Sequence, residues 1–317
     1  MKMCTPAKLC AVVKADAYGH GFPVMRALSQ ADEFAVATLS EAHALSRFTD
    51  KPINILSAPD FHAVGLYTPQ IVPCIDSEVG AAFVKRQGAT RVNVKVDTGM
   101  SRYGADPKAL EPLLRAADSY RLTVKSAFSH LYSLSSASAQ FLHFCEAVRP
   151  FERYIPQKHI LSSNFVRLPT YMHMDMVRAG YALYGYGQTC VQPALRAETT
   201  VTAVKAVRKG THIGYGEYTA EKDSIVAVLG AGYADGIRRI TDKPRYVEIN
   251  GVLCPILGQV CMDATMVDVT GLNVQVGDSV TVIGDAYGIE SVAASCGTIG
   301  YEILTGFTGR AVREYVD

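Results

Sequence analysis

The strongest constraint on this chain is the way short β-branched runs alternate with amphipathic stretches over its first two-thirds. Residues 9–15 read as a buried strand, 22–30 as a helix, 34–39 as a strand and 41–48 as a helix. Further strands are expected at 53–57, 91–97, 122–129 and 159–163, with helices at 108–119 and 139–154 between them. Repeated strand–helix units of this length imply a parallel sheet, and their number favours a closed (β/α)8 TIM-type barrel over an open one.

In residues 92–97 three valines alternate with Asn93, Lys95 and Asp97, so the polar side chains share one face. In a helix-wrapped barrel the valines face the helices and the polar set points inward; an exposed edge strand would carry the same pattern. After residue 198 the pattern changes. Segments 199–207, 224–229, 246–249, 252–260, 266–269 and 279–283 are strand-like, with almost no helical period before Ser291. Asn250-Gly251 between two of them is a hairpin signal, because a type I′ turn needs two positive φ angles. The expected organisation is an α/β barrel domain over 1–198 followed by a mostly β domain over 199–317.

Composition removes several function classes. The 317 residues carry 31 Lys and Arg against 30 Asp and Glu, for a net charge of +1, which leaves no electrostatic footprint for nucleic acid. The longest stretch without a charged side chain, 126–145, is rich in serine and holds His130 and His143, too polar to span a bilayer. Lys8, Lys14 and Asp16 interrupt the only apolar run near the N-terminus, so no signal peptide is expected. Cys4, Cys10, Cys74, Cys145, Cys190, Cys254, Cys261 and Cys296 are scattered without a C-x-x-C pair. Reduced thiols, a cytoplasmic address and no metal centre are the expectation.

Lys14, in the segment AVVKADAYGHG from Ala11, stands at the end of a buried strand. A lysine there is paired, neutral or used covalently, or it snorkels into solvent, and its position alone does not choose. At the C-terminal mouth of a barrel it is a candidate Schiff-base lysine. Read singly, the other polar residues carry equally plain alternatives. Tyr233 could be core, His130 a satisfied core histidine, Arg178 a surface ion pair, and the Ser162-Ser163-Asn164 run a turn or helix cap.

Together these residues form a pattern. The Lys14 segment closely resembles the pyridoxal-phosphate signature of alanine racemases. The resemblance continues through KVDTGMSRYG from Lys95, FSH ending at His130, MVRAGYALYG from Met176, GYADG from Gly232 and GQVCMD from Gly258. It implies a pyridoxal 5'-phosphate-dependent enzyme that interconverts L- and D-alanine for cell-wall synthesis. Lys14 would hold the cofactor and serve as one α-proton acid/base. Tyr233, reaching in from the other subunit of a head-to-tail homodimer, would be the second. A phenol with an ordinary pKa of about 10 needs a nearby cation to act as a base at neutral pH.

In the same resemblance Arg178 faces the pyridine nitrogen and His130 lies between it and the tyrosine. Tyr18, Ser163 and the amides around Gly180 and Tyr181 form the phosphate cradle, where glycine lets backbone approach an anion. Arg102 binds the substrate carboxylate with its fork. Lys95 matches a position carbamylated in some racemases, and Met262 and Asp263 match a loop bordering the partner's site, with the Met262 amide a carboxylate donor.

The chain departs from the family at three places. Lys14 arrives almost at once, as expected of a short natural form or of a domain cut from a longer chain. Gly309 stands where many members carry a tyrosine that narrows the substrate side, and Gln259 replaces an arginine before CMD. An opened pocket rejects an added hydroxyl weakly, which keeps a serine or broad-specificity racemase as the second reading. A non-catalytic pyridoxal-phosphate homeostasis protein is the reading from another class, but such proteins have no β domain. A decarboxylase of the same fold class would need a glycine-rich phosphate loop, and none is visible.

Overall fold

The computed structural model describes residues 6–187, 191–239, 243–307 and 309–316. The chain divides into two compact units, Met1–Gln192 and Pro193–Asp317. The sequence reading set the division at 198, which falls inside a strand that begins at Ala197.

The first unit is a parallel barrel. Its strands are β1 (Lys8–Val12), β2 (Glu33–Val36), β3 (Ile53–Ile55), β4 (Ile71–Val72), β5 (Cys74–Ile75), β6 (Arg91–Lys95), β7 (Thr123–Phe128), β8 (Lys158–His159) and β9 (Met176–Ala179). They form a five-stranded arc in the order β4-β3-β2-β1-β9 and a four-stranded arc β5-β6-β7-β8. Pro73 lies between β4 and β5 and cannot donate to a ladder, so these are two halves of one strand and the barrel has eight. The arcs meet where Asn93 N donates to Pro73 O at 2.9 Å and, on the far side, where Arg178 N donates to Leu161 O at 3.2 Å.

Helices Leu39–Leu45, Glu78–Arg86, Leu110–Ser119 and Ala137–Val148 accompany the strands. The second of these escaped the sequence reading, although Ser77 caps it by accepting from Gly80 N at 3.1 Å. The helix expected at 22–30 is a 3-10 segment, Phe22–Arg26, followed by turns. Proline at its second position suits a helix start, but Ala27-Leu28-Ser29-Gln30 does not extend it.

β6 has the inward polar face expected of a barrel strand. Val92, Val94 and Val96 are buried, and so are Asn93 and Lys95. Asp97 does not join them. Its Oδ1 turns back to accept from the amides of Gly99, Met100 and Ser101 at 2.9, 3.0 and 3.2 Å, fixing the loop that carries Arg102.

The second unit is a closed six-stranded antiparallel barrel in the order β10-β11-β14-β13-β12-β15. Its strands are β10 (Ala197–Val207), β11 (Ser224–Leu229), β12 (Tyr246–Ile249), β13 (Val252–Leu257), β14 (Thr265–Asp268) and β15 (Ser279–Ile283). Asn250 and Gly251 have φ of 53° and 78°, the two positive angles that the β12–β13 turn demands. Closure leaves no free strand edge, which a mostly β unit otherwise has to protect.

Candidate active site

Strand β1 ends at Val12, earlier than the expected residue 15, because the chain then reverses hand. Ala15, Asp16, Ala17 and Tyr18 have φ between 52° and 55°, a left-handed turn of non-glycine residues. Each such residue costs about 1–2 kcal/mol, so the turn persists only with support. Asp16 supplies part of it by accepting from Phe22 N at 3.2 Å, and Gly21 N donates to Asp16 O at 2.8 Å. Glu41 supplies more. Its Oε1 accepts from Ala15 N at 2.7 Å, while its Oε2 accepts from Ala37 N at 2.7 Å. Glu41 is also the third helical residue after the Thr38 cap and its partner in a capping box, with the T-x-x-E spacing that marks a helix start.

The turn places Lys14 at the mouth of the first barrel and returns Tyr18 to the chain at Gly180. A Cβ at Gly180 would lie 2.6 Å from the Tyr18 hydroxyl. Burial lowers the Lys14 pKa, Arg102 lowers it further and Glu41 opposes both. Ser163 completes the local geometry. Its Oγ accepts from Gly180 N at 2.8 Å and Ala182 N at 3.3 Å, so hydroxyl and amides converge on one spot. Tyr181 is buried at the start of the following 3-10 segment and packs tilted against Tyr186, ring centroids 5.2 Å apart.

Arg178 on β9 is buried; among the described residues its hydrogen-bond partners are carbonyls and imidazoles, and the guanidinium lies over the Phe128 ring at 5.3 Å. Nη1 donates to His159 Nδ1 and to His159 O at 3.2 Å. Nη2 donates to Ser129 O at 2.6 Å, Ile160 O at 3.1 Å and, at 3.5 Å, towards His130 Nδ1. Burial brings its pKa down to about 10, which leaves it cationic at neutral pH. His130 is correspondingly pushed down to about 3, first by burial and then by Arg178, Arg102, Lys95 and Lys14. It is neutral, and because Arg178 can only donate, His130 Nδ1 is the acceptor and Nε2 carries the hydrogen.

Lys95 Nζ donates to Leu56 O at 3.2 Å and lies over the rings of Tyr103 and Phe128 at 5.2 and 5.3 Å. Burial is the main cause that lowers it to about 8. Arg102 is exposed on the loop capped by Asp97. Lys14, Lys95, Arg102 and Arg178 are thus a group of cations around one neutral histidine. A donor cradle at Ser163 and Gly180 beside a nucleophilic lysine and a buried cation fits an anionic, carbonyl-bearing ring cofactor. Glycine at 180 is what leaves the approach open.

In the second unit, Tyr233 is 40% exposed on a short 3-10 turn, Tyr233–Asp235. Two bonds dock that turn on the Cys261–Met262 loop: Tyr233 N donates to Cys261 O at 2.9 Å and Ala234 N to Met262 O at 3.1 Å. Only glycine fits before it, since a Cβ at Gly232 would lie 2.3 Å from Cys261 O. Arg310, which the sequence reading did not single out, bridges Asp235 at 3.1 Å and Asp263 at 2.7 Å and so ties the two loops together. Gln259 accepts from Arg239 at 2.6 Å, and a Cβ at Gly309 would meet nothing within 4 Å.

The two halves match family models along nearly their whole lengths. The alanine racemase N-terminal domain matches residues 1–188 and its C-terminal domain residues 194–315. The chain belongs to the alanine racemase family. An alanine racemase of Thermodesulfovibrio yellowstonii is 34% identical over 98% of this chain and 90% of its own, and one of Corynebacterium efficiens 35% over 98% and 92%. The crystal structure of alanine racemase from Bartonella henselae with covalently bound pyridoxal phosphate superposes with a TM-score of 0.85. It is 29% identical and matched over 99% of this chain and 94% of that one. The chain is accordingly an isomerase of a pyridoxal-phosphate-dependent family, an N-terminal TIM barrel followed by a mostly β domain.

Within the first unit, the structure gathers Lys14, Tyr18, Lys95, His130, Ser163, Arg178 and Gly180. The second unit gathers Tyr233, Met262 and Asp263. Cys10, Cys74, Cys145, Cys254, Cys261 and Cys296 are free, while Cys4 and Cys190 lie outside the described residues. No helix among the described residues is long and apolar enough to cross a membrane.

Proposed function

We propose that this chain is an alanine racemase that works with pyridoxal 5'-phosphate and two acid/base groups, Lys14 and the Tyr233 of a partner subunit in a head-to-tail homodimer. The observation that carries the reading is the buried Arg178, whose hydrogen-bond partners among the described residues are carbonyls and imidazoles, so that its positive charge is free to act on a ligand. When bound, the cofactor supplies the conjugated electron sink that makes a substrate Cα–H acidic.

Each residue then has a definite task. Lys14, with its pKa lowered by burial, presents a nucleophilic amine and afterwards moves a proton at Cα. Arg178 cannot give up a proton, so a cofactor ring nitrogen held against it would stay unprotonated, which would restrain side reactions that need a stronger sink. Ser163, the Gly180 and Tyr181 amides and the Tyr18 hydroxyl hold the phosphate. Arg102 grips the substrate carboxylate, assisted by the Met262 N–H, and Lys95, carbamylated, holds that arginine by charge.

Racemisation requires groups on both faces of the substrate carbanion, and Tyr233 serves the second. Its exposure on a tightly docked turn supports that role, since it projects away from its own loop. His130 is neutral, accepts from the Arg178 cation through Nδ1 and so has its Nε2–H to offer the partner's phenol oxygen in this reading. Alanine is the substrate this reading takes first. The cytoplasmic address goes with it, in keeping with the free cysteines.

Incubating the pyridoxal-phosphate-loaded protein with L-alanine and with L-serine in deuterated water, and following the α-proton by NMR, tests the reading. Faster exchange with alanine together with D-alanine supports it. Comparable or faster exchange with serine moves the substrate assignment, and exchange with neither despite bound cofactor overturns the enzymatic reading.

A further inference from the structure

Below Arg178 the barrel interior holds a file of buried polar side chains that the proposed chemistry does not use. Arg178 Nη1 donates to Nδ1 of His159. His159 Nε2 lies 3.1 Å from Ser126 Oγ, and Ser126 Oγ donates to Asn93 Oδ1 at 2.7 Å. Asn93 Nδ2 donates to Asn54 Oδ1 at 2.8 Å, and Asn54 Nδ2 donates to Glu33 Oε2 at 2.8 Å. Lys125 pairs with Glu33 and also donates to Asn54 Oδ1 at 3.2 Å. Glu33 stands at the N-terminal end of β2, facing a cleft of about 550 Å³ that Lys8, Lys125, Gln157 and Asp175 also line. The file therefore runs from the C-terminal mouth of the barrel to its opposite rim.

The file can run in only one direction. A guanidinium has donors and no acceptor, and an ionised carboxylate has acceptors and no donor. With these groups at the two ends, each intermediate member must accept from the Arg178 side and donate towards Glu33. Reversing any one of them sets donor against donor or acceptor against acceptor at a buried link, which leaves polar atoms unsatisfied. Both asparagine amides and the histidine tautomer are determined together: His159 keeps its lone pair on Nδ1 and its hydrogen on Nε2. Such files strengthen cooperatively, since each bond polarises the next.

We infer that Glu33 is a positioning residue for Arg178, acting through the one-way file Asn54–Asn93–Ser126–His159; this rests on the proposed role of Arg178 at the cofactor ring. Arg178 sets the sense of the file and Glu33 completes it as the terminal acceptor, so each member is held in one orientation and His159 is fixed as the acceptor along one edge of the Arg178 guanidinium. The other edge is held by Ser129 O and Ile160 O. A carboxylate at the far end of the barrel thereby helps to keep the site's central cation aimed, without touching ligand.

Histidine-selective 15N NMR of the holoenzyme tests this, with the His159 signals assigned by their loss in His159→Gln. The native enzyme is expected to show a non-protonated Nδ1 and a protonated Nε2; an Nδ1–H tautomer or an imidazolium overturns the inference. Glu33→Gln and Ser126→Ala are each expected to shift the His159 Nε2 resonance and to lower kcat about three- to tenfold with KM unchanged. The double variant is expected to be no worse than Ser126→Ala alone, because Glu33 acts only through the file. Independent effects in the double variant, or a His159 resonance unmoved by Glu33→Gln, overturn it. If Glu33→Gln does not fold, Asn93→Leu cuts the file without touching either end, with the same shift and the same kcat loss expected. The two proposals fail separately. An active racemase whose His159 ignores Glu33 removes only the relay, whereas an inactive protein with the expected tautomer and shifts removes only the catalytic reading.

Discussion

The backbone of Gly180 runs so close to Tyr18 that a Cβ at 180 would sit 2.6 Å from the phenolic oxygen and 3.0 Å from the ring carbon that bears it. Gly180→Ala must therefore push Tyr18 aside or displace the 180–182 backbone from Ser163. Overpacking of this kind costs about 1–3 kcal/mol. Pyridoxal-phosphate titration followed by tyrosine fluorescence is expected to show affinity reduced by about tenfold or more, with the barrel still folded by circular dichroism.

Tyr233→Phe removes only a hydroxyl from an exposed side chain, so fold and cofactor binding are expected to survive. Racemisation is expected to drop by about 10²–10⁴, the usual contribution of a positioned acid/base. Lys14→Ala is expected to lose both the covalent cofactor absorbance and activity. Mixing the two inactive variants should recover a fraction of native activity if each site draws Lys14 from one subunit and Tyr233 from the other; recovery of none would place both bases on one chain.

Lys95 is held down to about 8, chiefly by burial, so its neutral amine becomes dominant as the pH rises through that value. Carbon dioxide adds to the neutral form. Carbamylation is expected to increase with bicarbonate and with pH above about 8, and to be lost on acidification. Native mass spectrometry at high bicarbonate checks it, and a spectrum without the added mass of carbon dioxide counts against the modification.

Arg310 bridges Asp235 and Asp263, one from each of the two loops that present Tyr233 and Met262. The ion pairs are exposed and screened, so their removal should loosen the loops rather than unfold the unit. Arg310→Met is expected to reduce kcat about two- to fivefold with little change in melting temperature. Native activity should fall in the same direction as salt rises, while the variant should lose that salt dependence.

A side chain at 309 would begin in open space, so Gly309→Tyr should be tolerated by the fold. If this position widens the substrate side, the variant is expected to raise the preference for alanine over serine, read as the ratio of their kcat/KM values. Because one hydroxyl is discriminated weakly in an apolar pocket, the expected change is about tenfold, up to a hundredfold. An unchanged ratio would remove Gly309 from the specificity argument.

Much of the architecture was legible because period and punctuation act locally. The alternation in 92–97 placed Asn93 and Lys95 inside, and Asn250-Gly251 marked a turn whose two positive φ angles are present. The interrupted strand around Pro73 was not legible, since a short strand has too few residues to show a period, and the strand expected at 159–163 is only the two residues Lys158–His159. Asp97 shares the spacing of its inward neighbours, yet the three amides of the next loop recruit it. Among the site residues, Lys14, His130, Arg178 and Tyr233 stood out through motifs. Arg310 and His159 did not, because their partners are distant in the chain.

The sequence by itself determined the strand–helix alternation of the first half, the inward face of β6, the change to a β-rich second half and the family. These depend on periodicity, turn chemistry and residue strings, all of which are contiguous. Only the tertiary structure decided the left-handed turn after Lys14, the approach of Gly180 to Tyr18, the neutrality of His130 and the direction of the file from Arg178 to Glu33. The physical reason is that each depends on burial or on partners many residues away. Desolvation, donor–acceptor complementarity and steric clearance act between atoms brought together by closure of the barrel, and no local pattern of residues records them.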